Sequence, residues 1–512
     1  MILENGVIRT LDPLLPTSRA LAIAGDRIAG GIGTHETALA SPDRVDLGGR
    51  CVVPGFTDAH VHFPSWAAAQ NEVRLEDASS LEEALARVRE ALATQPGEWV
   101  RGRGWRSGGW SPPVDPTKAD LDAVTGDRPV ALQARDGHSL WLNSAALAAV
   151  DGDLEVPGGV VERDERGEPT GVLREECAWE FLHRHARPTE DELLHASREG
   201  VRIANARGVT AIHDKDGWLG ALAIFQRLEA EGNLRLRVWE SHPSDDLDAL
   251  LAMPLCGGFG GELVRLGYVK AFMDGTLGSQ TARLLDGSGV QITTREELEG
   301  VITRAATRGF PVAVHAIGDA ANRDALDAFE ATAHAWKPLG LRPRIEHAQL
   351  LLADDIPRFG RLGVAASVQF SHAPSDRDLA DRFWHGRSTG AYAYRSLWDS
   401  GALVANGSDA PIEELDPWAG ICAGVLRTID ERPAWHPEQT LDLERALLAT
   451  CVNPAWLSGD EHRRGRLLPG LLADLVVLDR DPFALDPDEL PTVSVVATMV
   501  GGRWVHNPPP WD

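Results

Sequence analysis

Stretches rich in apolar residues alternate with amphipathic stretches along most of this chain, and the alternation predicts strands followed by helices. From Val52 onward, eight predicted strands occupy residues 52–60, 209–213, 234–240, 264–273, 311–316, 342–347, 364–369 and 403–408. Predicted helices separate most of them, at residues 190–207, 217–232, 295–309, 319–336 and 391–401. Strands that alternate with helices form parallel sheets. Eight such units predict an α/β fold, a (β/α)8 TIM-type barrel.

Both ends of the chain contain short strand-like runs separated by turn residues. Asn5-Gly6 is typical of a hairpin turn. Near the other end, residues 473–479 and 493–500 have the apolar character of strands. Each set is too short to bury its own apolar face well. We therefore predict one composite β-sandwich domain beside the barrel domain, with residues 1–51 and 465–512 in the sandwich and 52–464 in the barrel.

One interval of the predicted barrel is far longer than a loop. The first strand ends near residue 62, and the first good crossover helix begins near Thr189. A structureless loop of that length is uncommon inside a compact domain. The interval also has its own predicted elements, a helix at 81–92 and strands near 98–104 and 129–135. We therefore predict an inserted α+β subdomain at residues 64–188 that forms the roof of the active site.

Composition and charge narrow the classes of function. The 512 residues carry a formal net charge of −26, which disfavours nucleic acid as a partner because phosphate binding needs a basic surface. The five cysteines form no CxxC pair, a pattern typical of reduced thiols in a cytoplasmic protein. The sequence shows no signal peptide and no apolar run of the roughly 18 residues that a membrane span needs. We expect a cytoplasmic enzyme with a small-molecule substrate and no membrane partner. The sequence leaves open whether the protein forms a homodimer.

Two histidines close the first predicted strand, in the segment Asp58-Ala59-His60-Val61-His62. Side chains alternate along a strand, so His60 and His62 point to the same face. Two imidazoles directed at one point can bind one metal ion. The pair alone is equally consistent with two hydrogen-bonded structural histidines.

Other predicted strands end on residues of the same chemical type, at the end of a barrel where active sites lie. Lys270 lies on strand four, His315 ends strand five, His347 ends strand six, and Asp409 follows strand eight. Each residue alone has a structural explanation, such as a hydrogen-bonded histidine or a helix N-cap. Their recurrence at four of the eight strands, besides strand one, favours a joint metal site.

The order HxH, Lys, His, His, Asp resembles the amidohydrolase superfamily in its two-metal form, and the resemblance covers nearly the whole chain. It includes residues 54–62 around the first two histidines and the closing segment 469–479. Finer motifs resemble the branch that contains N-substituted formamide deformylase. They are Asp136-Gly137-His138-Ser139, Asp274-Gly275-Thr276-Leu277-Gly278-Ser279 and His315-Ala316-Ile317-Gly318-Asp319.

The resemblance implies a metal-dependent hydrolase with two divalent metal ions, for which zinc suits the ligands. His60, His62 and Asp409 would hold one ion, and His315 and His347 the other. Lys270 would bridge both as a carbamate formed with carbon dioxide, since a buried lysine can lose its proton and a cation beside two cations is electrostatically untenable. Asp409 would be the catalytic base and then the acid for a metal-bridging hydroxide.

Three further residues are candidates for contact with the substrate. The resemblance places His138 in the active-site roof as a catalytic and substrate-binding residue, with a structural role in the insertion as the alternative. His372 follows strand seven near the barrel mouth. Trp105 could form an apolar wall, although core packing explains it equally well.

The predicted function is hydrolysis of a carbon–nitrogen bond other than a peptide bond, of amide or N-substituted formamide type. Two alternatives stay open. The same metals could serve a deaminase or a hydrolase of cyclic amides or lactones. The chain could also bind metal as a scaffold or regulator without catalysis.

Overall fold

The computed structural model describes residues 1–33, 39–95, 97–134, 139–150, 153–156 and 159–511. The chain divides into two units, residues 1–66 with 198–512, and residues 67–197. No helix in these described residues combines the length and the apolar character that a membrane crossing needs.

Eight parallel strands form the main sheet of the first unit, and they follow one another in chain order. The Asp409 N–H, just after the last strand, donates to the His60 carbonyl of the first strand at 2.7 Å. The predicted eight-stranded parallel sheet of a TIM-type fold is confirmed. The strands are β1 (Phe56–Val61), β2 (Val209–Asp214), β3 (Arg237–Pro243), β4 (Val264–Phe272), β5 (Val312–Ala316), β6 (Arg344–His347), β7 (Ala365–Val368) and β8 (Val404–Asn406).

Helices follow most of these strands and bury their apolar faces against the sheet. The helix Arg295–Ala306 is representative: Thr294 and Glu297 form a capping box at its start, which pairs backbone N–H groups that the first turn leaves unbonded. The other helices of the first unit and its boundaries are Phe63–Ala69, Glu190–Ala206, Ala221–Ala230, Leu247–Ala252, Asp319–Ala331, Ala333–Trp336, Ile356–Leu362, His372–Ser375, Arg377–Phe383, Tyr394–Asp399, Pro417–Leu426, Leu443–Leu447 and Asn453–Leu457.

The first unit contains two further sheets, and strands from both ends of the chain meet in one of them. In spatial order, one contains Arg27–Gly30, Leu21–Ala24, Ile2–Glu4 and Arg44–Asp46. The other, the composite sheet, contains Arg503–His506, Val495–Val500, Leu475–Leu478, Cys51–Pro54, Val7–Arg9 and Thr17–Ser18.

The hairpin predicted at Asn5-Gly6 is wrong. The strands on its two sides lie in different sheets, and Leu3 and Ile8 from these strands share one buried cluster. Asn5 has a φ of 58°, and a Cβ on Gly6 would lie 2.5 Å from the Arg50 carbonyl oxygen. The dipeptide therefore turns the chain from one sheet to the other, and both strands bury their apolar side chains.

The single strand predicted over residues 52–60 is also wrong, because Gly55 divides it. Cys51–Pro54 pairs with Leu475–Leu478 in the composite sheet, whereas Phe56–Val61 pairs with β2 in the barrel sheet. A Cβ on Gly55 would lie 2.3 Å from the Thr210 hydroxyl oxygen. The backbone can pass this closely from one sheet to the next only at a glycine.

We expect Gly55→Ala to lower the free energy of unfolding by about 1–3 kcal/mol, because the added methyl group overpacks a buried strand. Gly300→Ala is the matched control, since Gly300 lies in the helix Arg295–Ala306 and its Cβ would meet nothing within 4 Å. It should raise stability by up to about 1 kcal/mol. Urea unfolding of both variants checks the pair, and equal stability of the two would contradict the close approach at Gly55.

The second unit contains a mixed sheet. In spatial order its strands are Gly159–Arg163, Pro169–Glu175, Ser139–Leu142, Val130–Ala134, Val100–Trp105 and Val73–Arg74. Its helices are Leu81–Thr94, Lys118–Thr125, Ser144–Ala148 and Glu176–Arg184. The domain boundaries stated above, including the insertion at 64–188, stay predictions.

Candidate metal centre

Histidine side chains from the ends of β1 and β6 converge at Asp409, which follows β8. His60 Nε2 lies 3.2 Å from Asp409 Oδ1, and His62 Nε2 lies 3.6 Å from the same oxygen. His347 Nδ1 lies 3.9 Å from the other carboxylate oxygen, Oδ2. His60, His347 and Asp409 each offer one ligand atom, and these three atoms lie within 4.8 Å of one another. The buried trio could hold a metal ion.

His315 and Lys270 come from the neighbouring strands β5 and β4. The His315 ring lies 4.5 Å from the His347 ring, centroid to centroid. Lys270 Nζ lies 3.9 Å from the centroid of the Phe272 ring, and Phe272 pairs with His315 across the two strands. Burial lowers the pKa of Lys270 to about 7. Its side chain therefore readily loses its proton near neutral pH.

Each of the four histidines uses one ring nitrogen for a hydrogen bond within the protein. Such a bond places the proton on that nitrogen and leaves the lone pair of the other for a cation, as in histidines that bind metal. The donor set therefore fits a metal centre. The pairs are His60 Nδ1 with Glu346 Oε2 at 2.8 Å, His62 Nδ1 with Asp216 Oδ1 at 2.9 Å, His347 Nδ1 with Gln369 Oε1 at 2.8 Å, and His315 Nε2 with the Gly275 carbonyl at 3.0 Å.

The protonation states of the site also suit ligands. Burial lowers the pKa of His315 to about 3 and holds the pKa of His347 well below its usual range, so both rings are neutral. Burial alone would raise the pKa of Asp409, but the nearby His60 outweighs it and the pKa stays well below the usual range. His315 and His347 are therefore neutral imidazoles near an ionised carboxylate, whereas Asp216 outweighs burial and raises the pKa of His62.

Comparison with known proteins identifies the family. The amidohydrolase family model matches residues 43–506. This chain belongs to the amidohydrolase family. The amidohydrolase YtcJ of Bacillus subtilis is 32% identical over 513 residues, which cover 94% of this chain and 95% of the relative. N-substituted formamide deformylase of Arthrobacter pascens is 28% identical over 538 residues, which cover 98% of this chain and 97% of the relative.

A solved structure shows the same relationship. The crystal structure of an uncharacterized metal-dependent hydrolase from Pyrococcus furiosus has a TM-score of 0.79 and 30% sequence identity, and the match covers 94% of this chain and 99% of that one. The predicted class, a metal-dependent hydrolase acting on carbon–nitrogen bonds other than peptide bonds, is confirmed for this amidohydrolase.

A buried charged network supports the ligands of the amidohydrolase, and the sequence analysis missed it. Glu346 Oε1 lies 2.8 Å from Arg344 Nε and 3.3 Å from Lys215 Nζ. Burial raises the pKa of Glu346, but Arg344 and Lys215 outweigh it and hold that pKa well below its usual range. One signal was available, since Arg344 and Glu346 alternate on a strand that is buried throughout. Charged residues at such positions are rarely buried unless paired.

The backbone is strained at two of the candidate ligands. His347 has a φ of 74° and Asp409 a φ of 58°, in the left-handed region that costs a non-glycine residue on the order of 1 kcal/mol. The Asp409 N–H bond to His60 supports one of these positions, and the N–H of Ala348, donating to Ala316 at 3.1 Å, supports the other. These turns direct both side chains toward the same point.

The predicted substrate contacts lie in different places. His372 is in the site of the amidohydrolase, with Nε2 3.9 Å from Asp409 Oδ2. Trp105 is buried in the second unit, where its indole N–H donates to the Leu132 carbonyl at 2.8 Å and its ring packs against those of Trp110 and Trp141. This environment is the core packing named above as the alternative. His138 lies outside the described residues.

Proposed function

We propose that this amidohydrolase cleaves the carbon–nitrogen bond of an open-chain amide, most specifically of an N-substituted formamide. The observation that carries the proposal is the convergence of three pre-oriented histidines on Asp409, with His315 against the ring of one of them, His347. The similarity to the formamide deformylase over 98% of this chain supports the substrate class. The substrate is a small molecule, and neither nucleic acid nor membrane takes part.

In this proposal the centre holds two divalent ions, with zinc suited to the nitrogen and oxygen ligands. His60, His62 and Asp409 would hold one ion, and His315 and His347 would hold the other. Lys270 would be a ligand after carboxylation by carbon dioxide, which its lowered pKa of about 7 favours. When bound, the ions supply a nucleophilic water at neutral pH and a Lewis acid for the substrate carbonyl.

Asp409 moves the proton in the proposed reaction. Its carboxylate is ionised at the start, because its pKa lies well below the usual range. It accepts a proton as the water oxygen bonds to the carbonyl carbon, and it delivers that proton to the nitrogen as the carbon–nitrogen bond breaks. The products are a carboxylic acid, formate for a formamide, and an amine.

A substrate panel tests the proposed function. Metal-loaded protein is incubated with N-substituted formamides, longer open-chain amides, cyclic amides, lactones and aromatic amines, and the released amine, acid and ammonia are measured. We expect release of amine and acid from open-chain members. Ammonia from aromatic amines alone would indicate a deaminase, ring opening alone a cyclic-amide or lactone hydrolase, and no turnover of any compound would contradict catalysis.

Metal removal should abolish turnover and lower the melting temperature, because an ion that binds only the folded state stabilises it. We expect about two ions per chain in the loaded protein, as in two-metal hydrolases, measured by elemental analysis. His315→Ala should lose one of them. His462→Ala is the control, since the side chain of His462 is 88% exposed. Equal metal content in the two variants would exclude His315 as a ligand.

A further inference from the structure

We propose that His372 is a catalytic hydrogen-bond donor in this reaction. Its Nε2–H donates to the carbonyl oxygen of the substrate as that oxygen gains charge, and Gln349 is the positioning residue that fixes the proton on Nε2. The inference rests on the proposed amide hydrolysis and adds to it a second group of the chain that contacts the reacting atoms.

His372 lies against the same carboxylate as the candidate ligands. It begins the short helix that follows β7 and is 5% exposed. Its ring is parallel to the His347 ring within 3°, with the centroids 6.3 Å apart. Its Nε2 faces Asp409 Oδ2, whereas His60 and His62 face Oδ1. The imidazole thus flanks the reacting centre on the His347 side.

The tautomer of His372 follows from its partner. Gln349 Nε2 donates to His372 Nδ1 at 3.1 Å. An amide nitrogen can only donate, so Nδ1 must accept, and a neutral ring then carries its proton on Nε2. Gln349 is itself buried, and its carbonyl accepts a hydrogen bond from the Tyr392 N–H at 2.6 Å. This bond fixes the backbone that carries the amide, while the amide oxygen of Gln349 has no hydrogen-bond partner among the described residues.

The Nε2–H of His372 is therefore a buried hydrogen-bond donor without an acceptor among the described residues. The distance of 3.9 Å to Asp409 Oδ2 is too long for a hydrogen bond. Buried donors are nearly always paired in folded proteins, and an exception calls for an explanation. A substrate oxygen bound beside Asp409 would supply the missing acceptor.

The Nε2–H of His372 stabilises the negative charge that develops on the substrate oxygen, and it does not transfer its proton. As water adds to the carbonyl carbon, the electron pair of the C=O π bond moves to the oxygen, where Nε2–H stabilises it. The pair returns when the C=O bond re-forms and the amine leaves with the proton from Asp409. Loss of one such donor typically lowers kcat by about 10²–10³-fold.

A pair of variants separates donation from other roles. In His372→Gln the amide nitrogen of glutamine occupies the place of Nε2 and can donate, whereas in His372→Asn the amide reaches only the place of Nδ1. Against the best open-chain substrate we expect kcat to fall about 10²-fold in H372N with little change in KM, and to stay within about 10-fold of wild type in H372Q. Equal impairment of the two variants, or full activity of H372N, would overturn the inference.

A sulfur-substituted substrate identifies the atom that receives the hydrogen bond. Sulfur accepts hydrogen bonds weakly, so the ratio of kcat/KM for a formamide to that for its thioformamide reports donation to this atom. We expect the ratio to fall in H372N and to be retained in H372Q. A merely structural role would lower both rates together, and an unchanged ratio in H372N would count against donation.

The tautomer is measured on the wild-type, metal-loaded enzyme without substrate. Nitrogen-15 NMR of labelled histidine, with H372N identifying the resonance, should show the proton on Nε2, and Gln349→Met should weaken that preference. A proton on Nδ1 overturns the inference whatever the substrate is. If no amide in the panel is cleaved, the proposed function fails, while the tautomer still decides whether His372 presents a donor.

Discussion

Asp409→Asn should leave the metal content unchanged and lower kcat by about 10³-fold, within the range that general acid–base groups contribute. Asparagine has the same shape and keeps one oxygen for a cation, but it cannot accept and deliver a proton. It also tolerates the φ of 58° at this position, because asparagine adopts the left-handed region more readily than most residues. The variant therefore removes the chemistry of Asp409 with little change in structure.

Asp416→Asn is the matched control for this experiment. Asp416 lies in the same loop after β8, where its carboxylate accepts the Ala419 N–H at 3.0 Å and caps the helix Pro417–Leu426. Asparagine caps helices as well as aspartate does, so we expect near wild-type rates. Elemental analysis and steady-state kinetics check both variants. Turnover in D409N close to that of D416N would remove Asp409 from the proton transfer.

Glu346→Gln should lower the free energy of unfolding by about 3–5 kcal/mol, the cost of removing one partner from a buried ion pair. Glutamine keeps the size of the side chain but not its charge. Arg344 and Lys215, both fully buried, would then lack the carboxylate that now lies within 3.3 Å of each. The midpoint of urea unfolding, measured with saturating metal, reports the loss.

Glu299→Gln provides the comparison on the surface. Glu299 pairs with Arg295 at 2.8 Å, but their side chains are 30% and 41% exposed, and exposed pairs contribute less than about 1 kcal/mol. We expect little change in its unfolding midpoint. If E346Q were no less stable than E299Q, the buried ion pairs of Glu346 with Arg344 and Lys215 would not stabilise the fold around the metal centre.

The sequence predicts the strand order and the residues that end the strands, because both depend on local patterns. Apolar runs and the residues just after them place His60, His347 and Asp409 at one edge of a parallel sheet, and the structure brings these three together. The hairpin predicted at Asn5-Gly6 and the single strand predicted over residues 52–60, which Gly55 divides, are wrong for the opposite reason. Their conformations depend on contacts with Arg50 and Thr210, which lie far away in the sequence.

The partners of the candidate ligands could not be predicted. Glu346 bonds His60 across 286 residues, and Asp216 bonds His62 across 154, and no local pattern encodes such distances. In the sequence, Gln349 resembles any polar residue after a strand. Its amide is recognised as a partner of His372 only from the distance between the two side chains in the structure. A residue's type can suggest that it binds a metal, whereas the orientation of its ring is set by tertiary contacts.

The division at Gly55 has a consequence for synthesis on the ribosome. The strand that leads to the first two histidines follows directly after Cys51–Pro54, whose partner in the composite sheet is Leu475–Leu478. The ribosome adds that partner only after every proposed ligand, from His60 to Asp409, has already been translated. The nascent chain therefore holds all of its ligands before the strand that anchors the first pair exists, and the centre can mature only late in translation or after release.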